Sequence, residues 1–226
     1  MGSYLIYLAI IVLIPIYAQA KVKGTYNKYS KVASSTGMTG AEVARRILDD
    51  NGLYNVTVEE TRGFLSDHYD PRSKVVRLSS DNYHGHSLAA TAVSAHEVGH
   101  AIQDQHDYAF LRVRASLVPV ANIGSNLSWI LIMIGIFANL PGMLLFGIAA
   151  MSAAVLFQIV TLPVEFNASN RAMDQVVSLG IISNREERET KKVLNAAAMT
   201  YVAAAAVAVL ELVRLVLIYT GMTRDE

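Results

Sequence analysis

The sequence has no cysteine. Disulfides and thiolate zinc sites are therefore excluded, and any metal would have to be held by His, Asp or Glu. Charge is scarce as well: 17% of residues are Asp, Glu, Lys or Arg, against 53% hydrophobic, and the mean hydropathy is +0.34. That balance is too apolar for an ordinary soluble domain. The 19 basic residues offset 19 acidic ones, so the net charge is zero and nothing overall suggests a nucleic-acid partner. Internal repeats and low-complexity tracts are missing too. The 226 residues leave room for one modest domain plus membrane segments.

What is abundant is long apolar runs. Tyr4 to Ala20 is an uncharged stretch of 17 residues, just long enough to span a bilayer. Ala18-Gln19-Ala20 resembles a signal-peptidase site, but no Lys or Arg precedes the run, whereas Lys21 and Lys23 follow it at once. A retained anchor with its C-terminal end in the cytoplasm fits that asymmetry better than a cleaved signal peptide. Further spans are expected at 117–140, 143–164 and 196–220, the middle pair joined by the tight turn Asn139-Leu140-Pro141-Gly142. Four spans put both termini on one side and gather residues 21–115 and 165–195 on the other. Those two pieces hold 17 of the 19 Lys and Arg, while the turn has none and the C-terminal tail has Arg224. The positive-inside rule then makes the chain a multi-pass cell-membrane protein with both pieces cytoplasmic. Glu211 and Arg214, three apart within the last span, read as a self-neutralising pair.

Between the spans the signals are local. Thr39-Gly40-Ala41-Glu42 is a capping box that should start a helix through about Asp50, with Gly52 as its stop. Tyr54 to Val58 alternates like a strand, and 63–78 reads as a β-hairpin turning at Asp70–Ser73, where Pro71 presets the turn. Ser87 can cap a helix running to about His106, too charged after Glu97 to be a span. Phe166 to Leu179 looks helical with Gly180 as stop, and Ser183-Asn184-Arg185-Glu186 is a second capping box opening the last long helix. The expected class is a mainly α membrane protein: four transmembrane helices plus a small α+β domain with a short β-hairpin or sheet.

All six histidines fall within one window of 39 residues, His68 to His106. Inside it lies His96-Glu97-Val98-Gly99-His100, which is His-Glu-x-x-His. On a helix, His96 and His100 stand one turn apart on one face and can bind one Zn²⁺, while Glu97, rotated by about 100°, falls beside the metal and can act as general base toward a water. The motif alone also fits an amphipathic helix with two polar histidines. A catalytic zinc takes three protein ligands, and the best remaining donor is Glu165, which leaves the third span on the side of the motif helix, in Pro163 to Ala172. His84 and His86 read as surface residues or loop caps, and His106 as a polar residue at a helix end.

With those residues in view, the chain resembles the neutral zinc metallopeptidases of the YugP-like membrane family. The resemblance covers nearly the whole length: the first span, Asp67-His68-Tyr69-Asp70-Pro71 with Val76-Arg77-Leu78-Ser79, the motif helix through Gln103, and Glu165 to Ala172. More distantly it is similar to the HtpX and CaaX-protease group, where a membrane hairpin also separates His-Glu-x-x-His from a Glu ligand. The resemblance implies a gluzincin endopeptidase with one zinc per chain on His96, His100 and Glu165, and Glu97 as base. The distant group carries an acidic residue four positions after its ligand Glu, where this chain has Ser169. The groups behind the metal ligands are then sought among Ser169, Asn170 and Asp174. His68, Tyr69 and Arg171 are candidates for binding substrate or the oxyanion, because they lie in the resembling segments. The expected partners are a peptide or protein substrate and the lipid bilayer. Two rival readings remain: a zinc-binding membrane scaffold without proteolysis, and a zinc hydrolase of a non-peptide substrate. An intramembrane protease fits less well, since the residues after His100 are too charged for a span.

Overall fold

The computed structural model describes residues 2–223, with side chains from residue 5; Arg224 of the expected tail lies outside the described residues. The chain is mostly helical. In order it forms α1 (Gly2–Tyr29), α2 (Gly40–Asp50), β1 (Thr57–Thr61), β2 (His68–Asp70), β3 (Val75–Ser79), α3 (Ser80–Tyr83), α4 (Leu88–Gln105), α5 (Ala109–Phe137), α6 (Pro141–Ser178) and α7 (Glu187–Met222). By length and composition, α1, α5, α6 and α7 are each long and apolar enough to cross a membrane. The chain divides into two units, one of Met1–Ile16, Ala109–Pro163 and Tyr201–Glu226, the other of Tyr17–Tyr108 and Val164–Thr200.

The first unit is made of helix segments whose outward side chains are apolar, among them Leu13, Trp129, Phe146 and Leu217. Its buried cluster is Ile132, Leu144, Ile148 and Leu215. At Gly135 an added Cβ would come within 2.5 Å of the Leu144 backbone, so glycine allows α5 and α6 to approach closely. The expected turn between them is present. Asn139 takes φ +50°, and Leu140 N–H closes onto Gly135 O at 2.9 Å, ending α5 in a left-handed cap.

The second unit has a conventional core. Both capping signals at the start of α2 are met: Thr39 Oγ1 accepts from Glu42 N–H at 3.1 Å, and Glu42 accepts from Thr39 N–H at 2.7 Å. Gly52 (φ +70°) and Gly180 (φ +61°) stop their helices as expected, with Leu53 N–H and Ile181 N–H reaching back to Leu48 O and Val176 O. The buried face of α2, Val43, Ala44, Ile47 and Leu48, packs with Val76 and Leu78 of β3 and with Leu88, Ala92 and Ala95 of α4. Each buried Ile or Leu contributes about 1.5–3 kcal/mol.

The sheet has the order β1-β3-β2, with β1 parallel and β2 antiparallel to β3. Asp70 sets the β2–β3 turn by accepting from Arg72 N–H at 2.9 Å and Ser73 Oγ–H at 2.6 Å. These bonds hold its carboxyl down at about 2. The strand expected at 54–58 forms later, at Thr57–Thr61. Arg45 of α2 donates to Leu53 O at 3.1 Å and Val56 O at 2.7 Å, which captures the first of those residues in a turn. The second capping box also behaves differently. Glu186 accepts from Ser183 N–H at 2.7 Å and also from Ser35 N–H at 2.8 Å, so it ties two loops together just ahead of α7.

Candidate metal centre

Ser87 Oγ accepts from Ala90 N–H at 3.1 Å and starts α4 where the sequence places it. Fourteen of the 18 residues of α4 are buried, six of them Ala or Gly, so neighbouring backbone can come close. Gly99 marks a close approach: a Cβ there would stand 2.5 Å from Ala168 O of α6. The buried face of α6 then delivers Glu165, only 2% exposed, to the histidines of α4.

His96 and His100 have ring centroids 4.8 Å apart. Glu165 Oε2 lies 3.2 Å from His96 Nε2 and 3.6 Å from His100 Nε2. The three ligand atoms fall within 4.8 Å of one another, the one such grouping among the described residues. Zinc bonds of about 2.1 Å in a tetrahedron separate neighbouring ligands by about 3.4 Å, so the donor set fits a zinc ion. Burial works against an imidazolium at His100, yet the Glu165 carboxylate, with Glu97 and Gln103 adding to it, raises its pKa. The site therefore favours a positive charge between these groups.

The outer nitrogens of both rings are engaged. Ser169 Oγ lies 3.2 Å from His96 Nδ1. Gln103 Oε1 lies 3.0 Å from His100 Nδ1, while the Gln103 amide donates to Val164 O at 2.7 Å and Asn167 Oδ1 at 3.0 Å. With both amide hydrogens committed to acceptors, Gln103 Oε1 must face the ring. His100 Nδ1–H then donates to it, which leaves the Nε2 lone pair free. Gln103 also bonds to the carbonyl just before Glu165, so one side chain fixes parts of the site from two helices.

Glu97 is 8% exposed and has no protein hydrogen bond among the described residues. Burial raises its carboxyl, with Glu165 and Asp67 adding to the shift and His96 and His100 opposing it. Asp67 is held by Ser79 N–H at 2.8 Å and Asn82 Nδ2 at 2.9 Å.

Other sequence candidates take separate places. Tyr69 donates to the buried Asp104 at 2.7 Å, and Lys74 pairs with the same carboxylate, fastening the β2–β3 hairpin to the end of α4. His68 is exposed, with Nδ1 at 2.8 Å from Ser66 O. Arg171 donates to Asn167 Oδ1 at 2.8 Å and lies 3.0 Å from His106 Nδ1. Asn170 and Asp174 are exposed on α6 and have no hydrogen bond to either ring among the described residues. His84 meets Glu60, and His86 meets Gly37 O, as surface and loop residues do. Gln103, Asn167, Asp104 and Asp67 were not singled out in the sequence. Gln103 had a signal, one turn after His100 on the same helix face.

Comparison with known proteins bears on the same residues. Residues 4–220 match the model of the family described as "Putative neutral zinc metallopeptidase". The chain is also 53% identical over 210 residues, 93% of each chain, to the protein named "Putative membrane protease YugP" of Bacillus subtilis (strain 168). No solved structure matches it. The family match begins in the first apolar helix, ends in the last and takes in both helices of the metal centre, so the chain belongs to the neutral zinc metallopeptidase family.

Proposed function

We propose that this zinc metallopeptidase is a gluzincin-type endopeptidase of the membrane that holds one zinc per chain on His96, His100 and Glu165. The observation that carries the reading is the convergence of those three donor atoms, spaced 3.2 and 3.6 Å about the shared carboxylate oxygen. Zinc, when bound there, makes a water acidic enough to attack at neutral pH and polarises the peptide carbonyl. Glu97, buried beside the histidines and free of other partners, takes the proton of the attacking water and passes it to the leaving amine. Ser169 and Gln103 hold the two rings by their outer nitrogens. His68, Tyr69 and Arg171 remain candidates for substrate contacts. The strand that carries Tyr69 is fastened to α4 through the Tyr69–Asp104 bond. That strand, β2, is an edge of the sheet, and a peptide can add to it as a further strand.

Residues 21–115 and 165–195 form the zincin-like catalytic portion, on the cytoplasmic side, with spans at 4–20, 117–140, 143–164 and 196–220. The charge distribution supports this side. Cysteines introduced singly at Ser73 and Ser183 should be shielded from an impermeant thiol reagent in intact cells; labelling of either overturns the topology. The activity is tested by comparing protein termini in cells expressing wild type and Glu97→Gln. New termini that depend on the wild-type enzyme support endoproteolysis, and their absence from both contradicts it.

A further inference from the structure

A groove of about 600 Å³ opens between the C-terminal part of α1 and the N-terminal part of α7, within the second unit. Its walls are two helical stripes. Lys21, Gly24 and Lys28 recur at i, i+3 and i+7 on α1, and Lys192, Asn195 and Ala196 at i, i+3 and i+4 on α7. A Cβ added at Gly24 meets nothing within 4 Å, so the groove is open at its wall. The three lysine side chains are exposed. Lys28 Nζ lies 5.2 Å from the Tyr29 ring centroid, and Lys192 pairs with Glu189 at 3.4 Å, an exposed contact that a stronger anion can displace.

Both helices change character at this groove. On α1 the uncharged run ends at Ala20 and Lys21 follows; on α7 no charge follows Lys192 until Glu211, so residues 193–210 are uncharged. Two apolar-to-basic boundaries meeting at one concave, largely apolar site is the pattern expected where a headgroup meets the hydrocarbon edge.

We infer that the groove binds one anionic phospholipid, its headgroup filling the open wall at Gly24 with the phosphate held by Lys21, Lys28 and Lys192, and its apolar part lying against Ala20 and Met199. A soluble phosphate is disfavoured because the lining surface is mostly apolar and its three cations are exposed. Diffuse attraction to an anionic surface would involve Lys23, Lys31 and Lys191 equally, and none of these lines the groove.

The test uses the full-length protein in detergent, with phosphatidylglycerol or phosphatidylcholine titrated and bound lipid counted by native mass spectrometry. Wild type should retain one phosphatidylglycerol in preference to phosphatidylcholine. Lys21→Gln/Lys28→Gln/Lys192→Gln should weaken that binding at least roughly tenfold, since each lysine near an anionic headgroup is worth roughly fivefold. Gly24→Phe should cause a comparable loss by filling the groove with every charge intact, and it carries the test alone should the triple variant fail to fold. Lys23→Gln/Lys31→Gln/Lys191→Gln should bind as wild type. Equal loss in the two triple variants, unchanged binding in Gly24→Phe, or equal retention of the two lipids overturns the site. Displacement of the lipid by millimolar glycerol 3-phosphate would make a soluble phosphate the ligand and overturn the lipid assignment.

Discussion

Two carboxylates stand on long apolar helices, Glu165 on α6 and Glu211 on α7, and their neighbours differ in kind. Glu211 faces donors: Arg214 Nε at 3.2 Å, the Arg214 Nη2 group and the Tyr7 hydroxyl, with the guanidinium 5.4 Å from the Tyr7 ring centroid. Its charge is matched by a cation three residues away, and the cluster is complete. Glu165 faces two imidazoles whose outer nitrogens are already engaged by Ser169 and Gln103, so three donor atoms, the Nε2 lone pair of His100 among them, converge on a space that suits a dication. An acid in an apolar helix is thus no evidence of a site by itself. What decides is whether its neighbours bring protons and positive charge, or bring more lone pairs.

The largest effect expected is at Glu97, the proposed base beside the open cluster. Glu97→Gln should lower peptide cleavage by roughly 10²–10⁴ while zinc per chain stays at the wild-type level, because proton transfer is lost and no ligand is removed. Activity near wild type would move the base role elsewhere. The closed cluster should respond in the opposite way. Glu211→Ala should leave zinc unchanged and lower the melting temperature in detergent, by stranding Arg214, and adding Arg214→Gln should recover part of the loss. Loss of zinc in Glu211→Ala would erase the distinction between the two clusters.

A smaller effect belongs to the groups behind the ligands. Gln103→Ala should weaken zinc roughly 10–100-fold in a chelator competition, and Ser169→Ala should weaken it less, since Gln103 makes three bonds and also grips the carbonyl before Glu165. Equal affinities in wild type and Gln103→Ala would remove the tautomer argument. The smallest effect lies away from both clusters. The Asp70 carboxyl is held at about 2, below its ordinary value, so its contribution to stability is present above about pH 4 and is lost as pH falls through about 2. Melting curves of wild type and Asp70→Asn should therefore differ at neutral pH and converge in acid.

Much of this was legible in the sequence because it is local. Thr39, Gly52, Ser87, Asn139 and Gly180 act through neighbours a few residues away, and each does what its type requires. The approach of Glu165 to His96 and His100 was legible through the spacing of apolar runs and through family resemblance. What escaped depends on distant partners. The shift of β1 follows from Arg45 taking carbonyls eight and eleven residues on. Tyr7 at Glu211 lies 204 residues from its partner, and no spacing rule reaches that far. The bond from the Tyr69 hydroxyl to Asp104, 35 residues on, was not legible either, because only the packing of the hairpin on α4 creates it.

The most direct measurement is zinc per chain, by elemental analysis of purified Glu165→Ala beside Asp174→Ala and His106→Ala. The expected result is marked loss of zinc in Glu165→Ala, with the other two loaded as wild type, since Asp174 is exposed and His106 meets Arg171 at the end of α4. Full zinc in Glu165→Ala, with loss in either of the others, would contradict the metal assignment and the gluzincin reading with it.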